Sequence, residues 1–264
     1  MTNRIDGKFK ELKRQQKKAF IAYITAGDPS LTMTERIALA LERSGVDILE
    51  LGIPFSDPLA DGPVIQAASQ RALEKGASLR KIFTMVKRLR KRIDLPLVFM
   101  TYYNPVLKYG LAEFVKNCKR TGVDGVIVPD LPCGEAGELI RLGRKSGIAT
   151  IFLAAPTSTR KSLNTIAKNS RGFIYYVSLT GVTGARSKLP PEITSNVRLI
   201  KSMTGKPVAV GFGISNAKQA GSIARIADGV IIGSAIVKII GEKRNVVSRV
   251  SNFAKGLAKV IHGR

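Results

Sequence analysis

The chain has 264 residues and a mass of 28.5 kDa, with 44% hydrophobic and 23% charged residues. These are ordinary globular values, and they exclude collagen, coiled coil and wholesale disorder. No apolar run approaches the roughly 20 residues that span a bilayer, and the amino terminus lacks the apolar segment of a secretory signal. Two cysteines, Cys118 and Cys133, are too few for a disulfide scaffold. The composition predicts a soluble, cytoplasmic protein without a membrane segment.

The net charge of +24, from 43 basic and 19 acidic residues, invites a nucleic-acid interpretation. The excess lies largely in predicted helices at residues 4–18, 80–92 and 238–264, where Lys and Arg are interleaved with apolar residues at helical spacing. The sequence has no tryptophan, no aromatic run of the RNA-binding type and no zinc-finger spacing. We therefore predict a solvated basic surface without specific nucleic-acid recognition.

The single histidine, His262, stands close to the carboxyl terminus, where chains commonly fray. A histidine triad, a proton relay through imidazole or a histidine-liganded metal needs the ring on a rigid element. We therefore expect no metal site. Catalysis should use carboxylates, hydroxyl groups, lysine or backbone N–H groups.

Short apolar runs alternate with amphipathic stretches along the whole chain. The runs are rich in Val, Ile and Leu, which is typical of parallel strands covered on both faces. The predicted strands are residues 20–25, 48–51, 97–100, 125–128, 148–153, 173–177, 208–210 and 229–232. The amphipathic stretches between them are residues 31–44, 63–75, 79–93, 111–120, 135–146, 158–168, 192–203 and 216–226.

This alternation predicts a single (β/α)8 TIM barrel, a fold with a usual size of about 250 residues. The stretch 4–18 adds an extra N-terminal helix before the first strand. A doubly wound open sheet is the main alternative, but no G-x-G-x-x-G follows the first strand. Because no linker or low-complexity tract divides the chain, residues 1–264 are predicted to form one α/β domain.

Carboxylates stand where this fold places its chemistry, at the ends of strands and in the loops that follow. Glu50 lies inside the second apolar strand, where an unpaired carboxylate is costly to bury. A structural salt bridge would explain it, but desolvation also tunes a carboxylate for acid–base catalysis, and we favour that role. The next loop adds Asp57 and Asp61 to the same end of the barrel.

Glycines follow the last two predicted strands, Gly211 and Gly213 after the seventh and Gly233 with Ser234 after the eighth. Loops at these positions often bind phosphate, because glycine lets backbone N–H groups approach the oxygens and a helix N-terminus favours the anion. Gly184 lies in a long loop after the sixth strand and is placed to contribute. Residues 179–190 and 54–62 are predicted to be mobile without ligand and to close over it.

The segment ELGIPFSDPLADGP at residues 50–63 closely resembles the signature of the tryptophan synthase alpha subunit family. The similarity extends through YITAGDP at 23–29, GVTG at 181–184, GFGI at 211–214 and GSAIV at 233–237. The resemblance implies cleavage of indole-3-glycerol phosphate to indole and glyceraldehyde 3-phosphate. It also implies an alpha2-beta2 heterotetramer with a beta subunit that carries pyridoxal phosphate, and no cofactor in this chain.

The residues present narrow the chemistry of that cleavage. A retro-aldol step needs an electron sink, yet no strand ends in a lysine poised to form an iminium, and histidine ligands for a metal are lacking. Protonation of the indole ring at C3 supplies the sink, with Glu50 as the proton shuttle and Asp61 stabilising the charge at the ring N–H. Tyr175 matches a family position that lines this site. The predicted substrate contacts are Tyr23, Tyr102, Ile127, Tyr175, Thr183 and Phe212, and the predicted phosphate contacts are Gly184, Gly213, Gly233 and Ser234.

Two alternative functions remain open on the sequence. One is a free-standing indole-releasing lyase with the same residues and no partner. The other is a phosphate- or nucleic-acid-binding barrel that uses the basic surface and has lost catalysis, although the presence of Glu50 and Asp61 argues against it. If a beta subunit binds, we expect the contact around residues 57–58 and 103–105, at the same end as the site.

Overall fold

The computed structural model describes residues 3–177, 191–211, 213–242 and 244–263. In these residues, nine parallel strand segments and twelve helices alternate along the chain. The strands are β1 Ala19–Thr25, β2 Ile48–Gly52, β3 Leu97–Met100, β4 Gly125–Ile127, β5 Ala149–Ile151, β6 Leu153–Ala154, β7 Ile174–Val177, β8 Val208–Gly211 and β9 Gly229–Ile232. The helices are α1 Arg4–Arg14, α2 Leu31–Arg43, α3 Pro63–Glu74, α4 Leu79–Leu89, α5 Tyr103–Tyr109, α6 Leu111–Thr121, α7 Gly137–Ser146, α8 Arg160–Asn169, α9 Pro191–Met203, α10 Ala217–Ala224, α11 Ser234–Gly241 and α12 Val246–Ile261.

The barrel closes through its fifth strand, which consists of β5 and β6. The strand order is β5-β4-β3-β2-β1-β9-β8-β7-β6, and only Phe152 separates the two ends of that order in the chain. β5 pairs with β4 at Ile151 and Ile127, whereas β6 pairs with β7 at Leu153 and Tyr175. Because barrel strands are staggered, each half of the fifth strand meets a different neighbour. The predicted (β/α)8 barrel is confirmed, with the predicted strand 148–153 interrupted at Phe152.

The alternation of side chains along the strands decides what fills the barrel. Ile21, Ile48, Val98 and Phe173 belong to one buried inner cluster. Successive side chains point to opposite faces of a strand, so residues two positions further along face the interior again. Tyr23, Glu50, Met100 and Tyr175 therefore form the next inner layer, nearer the carboxyl ends of the strands.

Helix α1 closes the amino-terminal end of the barrel, and the predicted extra N-terminal helix is confirmed. Its Ile5, Phe9 and Leu12 pack into the inner cluster, with the rings of Phe9 and Phe173 5.8 Å apart. The helix ends at Arg14, earlier than the predicted residue 18, because Gln16 adopts a left-handed backbone with φ of 56°. The N–H groups of Gln16 and Lys17 then donate to the carbonyls of Lys13 and Leu12, which is a Schellman motif.

The carboxyl-terminal segment differs from the prediction in two ways. Residues 238–264 do not form one continuous helix, because α11 ends at Gly241 and α12 begins only after Asn245, whose φ is 44°. The prediction that the chain frays at His262 is also wrong. Its Nε2 lies 2.8 Å from Asp47 Oδ2, and the side chain is only 16% exposed. Asp47 also accepts a hydrogen bond from the N–H of Phe20. Asp47 therefore links His262, at the end of α12, to the start of β1, at the end of the barrel away from the carboxyl ends of the strands.

The short helix α5 was not predicted from the sequence. It follows β3 directly, and its first N–H, at Tyr103, donates to the carboxylate of Asp130 in the loop after β4. None of the helices in the described part of the chain combines the length and apolar character needed to cross a membrane.

Candidate active site

Glu50 lies in the middle of β2, paired with Tyr23 of β1 on one side and Val98 of β3 on the other. It is fully buried, and neither carboxyl oxygen has a hydrogen-bond partner among the described residues. No Lys, Arg or His of those residues forms a salt bridge with it, so the alternative of a structural ion pair finds no support. Burial, followed by the nearby charge of Asp61, raises the pKa of Glu50 to about 8. Glu50 is therefore protonated at neutral pH and can act as an acid.

Asp61 lies in the loop between β2 and α3, and this loop is tied to the loop after β3. The N–H of Ala60 donates to the Tyr102 hydroxyl at 2.9 Å, and the N–H of Asp61 donates to the Pro58 carbonyl at 3.0 Å. Partial burial raises the pKa of Asp61 to about 6, an effect that a hydrogen bond from Tyr102 reduces. At neutral pH Asp61 is mainly ionised. The two carboxyl groups thus occupy different protonation states, as acid–base pairs require.

Two tyrosine side chains lie against glycines in the same inner layer. A Cβ atom on Gly52 would overlap the hydroxyl and ring of Tyr23, and a Cβ on Gly211 would lie 2.6 Å from the Tyr175 hydroxyl. Burial raises the pKa of both tyrosines well above the usual value, and the charges of Asp61 and Glu50 add to the shift. Both hydroxyls therefore stay protonated and remain hydrogen-bond donors beside Glu50.

A methyl group at Gly52 is expected to impair the site without unfolding the barrel. Gly52→Ala should push the Tyr23 ring away from the position it holds beside Glu50, and we expect kcat/KM for the proposed reaction to fall roughly tenfold or more. Gly137→Ala is the matched control, because a Cβ at Gly137 meets nothing within 4 Å. Steady-state kinetics and thermal unfolding of both variants provide the measurement. Equal kinetics in the two variants would contradict the role of Gly52.

The described residues include three of the predicted apolar walls. Tyr23 and Tyr102 are buried at this end of the barrel, and Ile127 is fully buried and pairs with Met100 of the same inner layer. Thr183, Gly184 and Phe212 lie outside the described residues, as does the whole of the predicted lid at 179–190. Three partly buried side chains that were not predicted for the site pack near Tyr23, namely Met100, Val64 and Ile65. Met100 ends the third predicted strand, and that position could have identified it as a site residue.

The predicted phosphate loops lie side by side, because β8 pairs with β9. Gly213 follows β8 with a φ of 26°, and Gly233 and Ser234 stand at the start of α11. The Gly233 carbonyl accepts the N–H groups of Ile236 and Val237. The N–H groups of Ser234 and Ala235, in the first turn, therefore have no intrahelical acceptor. Such a helix start can accommodate an anion.

Fold and site together define a class of protein. It is a (β/α)8 barrel with a buried acid, an ionised carboxylate and a glycine-rich helix start at the carboxyl ends of its strands. The sequence matches the profile of the family described as "Tryptophan synthase alpha chain" over residues 9–262. The chain belongs to this family.

Individual relatives agree with that assignment over nearly the full chain. The tryptophan synthase alpha chain of Caldanaerobacter subterraneus is 47% identical over 262 residues, which cover 98% of this chain and 100% of that protein. The alpha chain of Geobacter sulfurreducens is 51% identical over 237 residues, 90% of each. The solved alpha subunit of Legionella pneumophila superposes with a TM-score of 0.93 at 37% identity, covering 99% of both chains. A chain of the α2β2 complex of Pyrococcus furiosus gives 0.87 at 43% identity, covering 91% of this chain and 98% of that one.

Proposed function

We propose that this protein is the lyase that cleaves indole-3-glycerol phosphate to indole and glyceraldehyde 3-phosphate, as the alpha chain of a tryptophan synthase. The observation that carries the proposal is the pairing of a fully buried, unpartnered Glu50 with a partly buried Asp61 at one end of a family barrel. Burial keeps the first carboxyl protonated and leaves the second mainly ionised. The reaction needs both forms at once.

Glu50 acts first as an acid and then as a base. Its proton goes to C3 of the indole ring, which makes the ring an electron acceptor. As the bond between C3 and the glycerol phosphate breaks, its electron pair returns to the ring, and the Glu50 carboxylate takes the proton of the neighbouring hydroxyl to leave an aldehyde. Asp61 accepts a hydrogen bond from the ring N–H and stabilises its positive charge. One proton moves from oxygen to carbon, and Glu50 ends protonated again.

The remaining site residues position the substrate. Tyr23, Tyr102 and Tyr175, together with Ile127, Thr183 and Phe212, contact the indole ring and its side chain. The phosphate binds to backbone N–H groups at Gly184, Gly213, Gly233 and Ser234. The start of α11, at Gly233 and Ser234, supports this placement because the first N–H groups of a helix lack an intrahelical acceptor. This chain needs no cofactor for the cleavage, since the protonated indole ring is itself the electron sink.

The proposed partner is a tryptophan synthase beta subunit in an alpha2-beta2 heterotetramer that receives the indole. The relative from Pyrococcus furiosus forms an α2β2 complex, and pyridoxal phosphate is proposed to reside in the beta subunit only. The proposed location is the cytoplasm. A cleavage assay with and without a beta subunit tests the whole proposal. Cleavage that a beta subunit stimulates supports it, cleavage without stimulation supports a free-standing lyase, and no cleavage in either case would refute the enzyme.

The surface around the site offers an apolar contact for that partner. Three large hydrophobic side chains are exposed in the described residues, and two of them lie at the end of the barrel that holds the site. Leu59, which is 93% exposed, lies in the Asp61 loop, and Leu107, which is 55% exposed, lies on α5. We expect Leu59→Ser and Leu107→Ser to weaken stimulation by the beta subunit several-fold while basal cleavage persists. Val260→Ser, at the third exposed position, is the matched control and should leave stimulation unchanged.

The pH dependence of cleavage by the chain alone should be bell-shaped. Activity requires Asp61 ionised and Glu50 protonated, so kcat/KM should fall below a pH of about 6 and above about 8. Glu74→Gln, an exposed change on α3, should keep the same profile. A kcat/KM that keeps rising well above pH 8 would contradict the assignment of Glu50 as the acid.

A further inference from the structure

The amino-terminal end of the barrel, opposite the proposed active site, carries a concentrated positive charge. A pocket of about 520 Å³ lies between the end of α1 and the loop before β8. Its lining includes five lysines, Lys13, Lys17, Lys18, Lys201 and Lys206, and a single carboxylate, Asp228. The neutral part of the lining includes Phe9, Leu12 and Pro207.

Two more open depressions adjoin this pocket. The first shares Lys17 and adds Arg43, Lys255 and Lys259. The second shares Lys13 and adds Lys10 and Arg14. We refer to these ten cationic side chains as the basic face. Asp228 remains the one acidic residue in the three linings.

Internal partners neutralise little of the basic face. Asp228 Oδ1 lies 2.7 Å from Lys201 Nζ, and Asp228 Oδ2 accepts the N–H of Val208. Lys206 donates to the backbone carbonyls of Ala167 and Lys168. Within the described ranges, no carboxylate forms a salt bridge with Lys13, Lys17 or Lys18. Three ammonium groups from one short segment therefore face the pocket without a counter-charge.

Helix dipoles explain only part of this arrangement. Helices end at this face of the barrel, and cations in a last turn stabilise a helix. Lys13 and Arg14 occupy the last turn of α1, but Lys17 and Lys18 follow the helix end. The left-handed turn at Gln16 holds both of them, half-buried, between α1 and β1. Like charges held together repel one another, and a bound anion would relieve that repulsion.

We propose that the basic face binds a chain of linked phosphate groups. The ligand is long rather than a single anion, because the central pocket is continuous with one depression through Lys17 and with the other through Lys13. It is recognised through its phosphates and not through bases, because the two aromatic rings in the linings are not free to stack. Phe9 is buried against the barrel core, and the largely buried ring of His262 is held by Asp47. Inorganic polyphosphate and the backbone of a single-stranded nucleic acid share this chemistry. The site lies at the opposite end of the strands from the proposed substrate phosphate.

The test compares two triple variants with the same net charge. Lys13→Gln, Lys17→Gln and Lys18→Gln together remove the unpaired cations of the pocket. Arg80→Gln, Lys87→Gln and Lys91→Gln remove three exposed cations from the region of α4 and serve as the control. Binding of labelled inorganic polyphosphate to the full chain is measured by fluorescence anisotropy over a range of salt concentrations. Cleavage of indole-glycerol phosphate by both variants should equal that of the unmodified chain, which shows that they fold.

The pocket variant should bind polyphosphate roughly tenfold more weakly or worse. The plot of log K against log salt should become less steep by about 2, because fewer phosphates are neutralised. The control variant should change much less. Equal losses in the two variants would show a diffuse effect of net charge and would overturn the site. Displacement by inorganic phosphate at the same total phosphate concentration would overturn the requirement for a chain. In parallel, binding of homopolymeric single-stranded DNA is measured for the same variants. If this DNA binds as tightly as polyphosphate and also depends on the three lysines, the phosphate chain that the basic face binds can be a nucleic-acid backbone. Preference for polyphosphate identifies the free phosphate chain.

Discussion

Glu50→Gln should reduce cleavage of indole-3-glycerol phosphate by about 10² to 10⁴, the usual contribution of a general acid or base, and by more where one group makes both transfers. The glutamine side chain keeps the shape of the carboxyl but cannot release a proton. Single-turnover cleavage by the purified variant is the measurement. Binding of an unreactive indole-phosphate analogue, measured in parallel, should be nearly unchanged.

The same substitution should stabilise the protein at alkaline pH, which separates a catalytic loss from misfolding. Burial raises the pKa of Glu50 from 4.5 to about 8, so the folded chain holds a proton that the unfolded chain releases as the pH rises through this interval. The free energy of unfolding of the unmodified protein therefore declines over that range. At about pH 8, Glu50→Gln should be more stable by a few kcal/mol, and at about pH 4.5 the difference should nearly vanish. Glu74→Gln should show no such gain in urea unfolding.

Two results would contradict this assignment. A variant that cleaves at nearly the original rate would move the proton shuttle elsewhere, and Tyr175 would become the next candidate because its hydroxyl lies in the same layer. A variant that is inactive and also less stable at alkaline pH would indicate that Glu50 is needed for packing. The expected combination, an inactive but more stable protein, is the mark of a residue kept for function at a cost in stability.

The barrel was predictable because its strands are buried on both faces and therefore carry apolar side chains on both faces. Runs such as residues 20–25 and 229–232 are almost wholly apolar and are buried at every position, since helices cover them outside and the inner cluster covers them inside. The break at Phe152 was not predictable, because it arises from the stagger between neighbouring strands and not from the residue itself. The early end of α1 was missed for a different reason. A glutamine occupies the left-handed position where glycine is the usual signal.

The site was predictable only where a residue type conflicts with its surroundings. A glutamate within an apolar strand stands out in the sequence, and Glu50 is indeed fully buried. The role of Gly52 could not be inferred, because it depends on where the Tyr23 hydroxyl lies across a strand pair. His262 was misjudged because its order comes from packing of α12 against the rest of the fold and from Asp47. Contacts between distant segments leave no mark at either position in the sequence.

Asp61→Asn should also cripple the reaction, by about 10² to 10³, because the charge that stabilises the protonated indole ring is lost while the shape and one acceptor oxygen remain. Its pH profile should then identify the mechanism. The acid limb near pH 6 should disappear, because the carboxyl group responsible for it is gone. The alkaline limb near pH 8 should move to lower pH, because the charge of Asp61 is one cause of the raised pKa of Glu50. Asp61→Glu should keep a trace of activity, since the charge survives at a displaced position.

Asp57→Asn is the matched control for Asp61→Asn. Asp57 lies in the same loop, is exposed and accepts a hydrogen bond from the Ser56 hydroxyl at 2.8 Å. Its loss removes an equal charge from the surface, where water screens it. The chain alone should therefore keep both its rate and its two pH limbs. If Asp61→Asn leaves the alkaline limb in place while the rate falls, Asp61 acts on the substrate without being coupled to Glu50. If both substitutions have the same effect on the profile, the general field of the loop is responsible and Asp61 has no specific role.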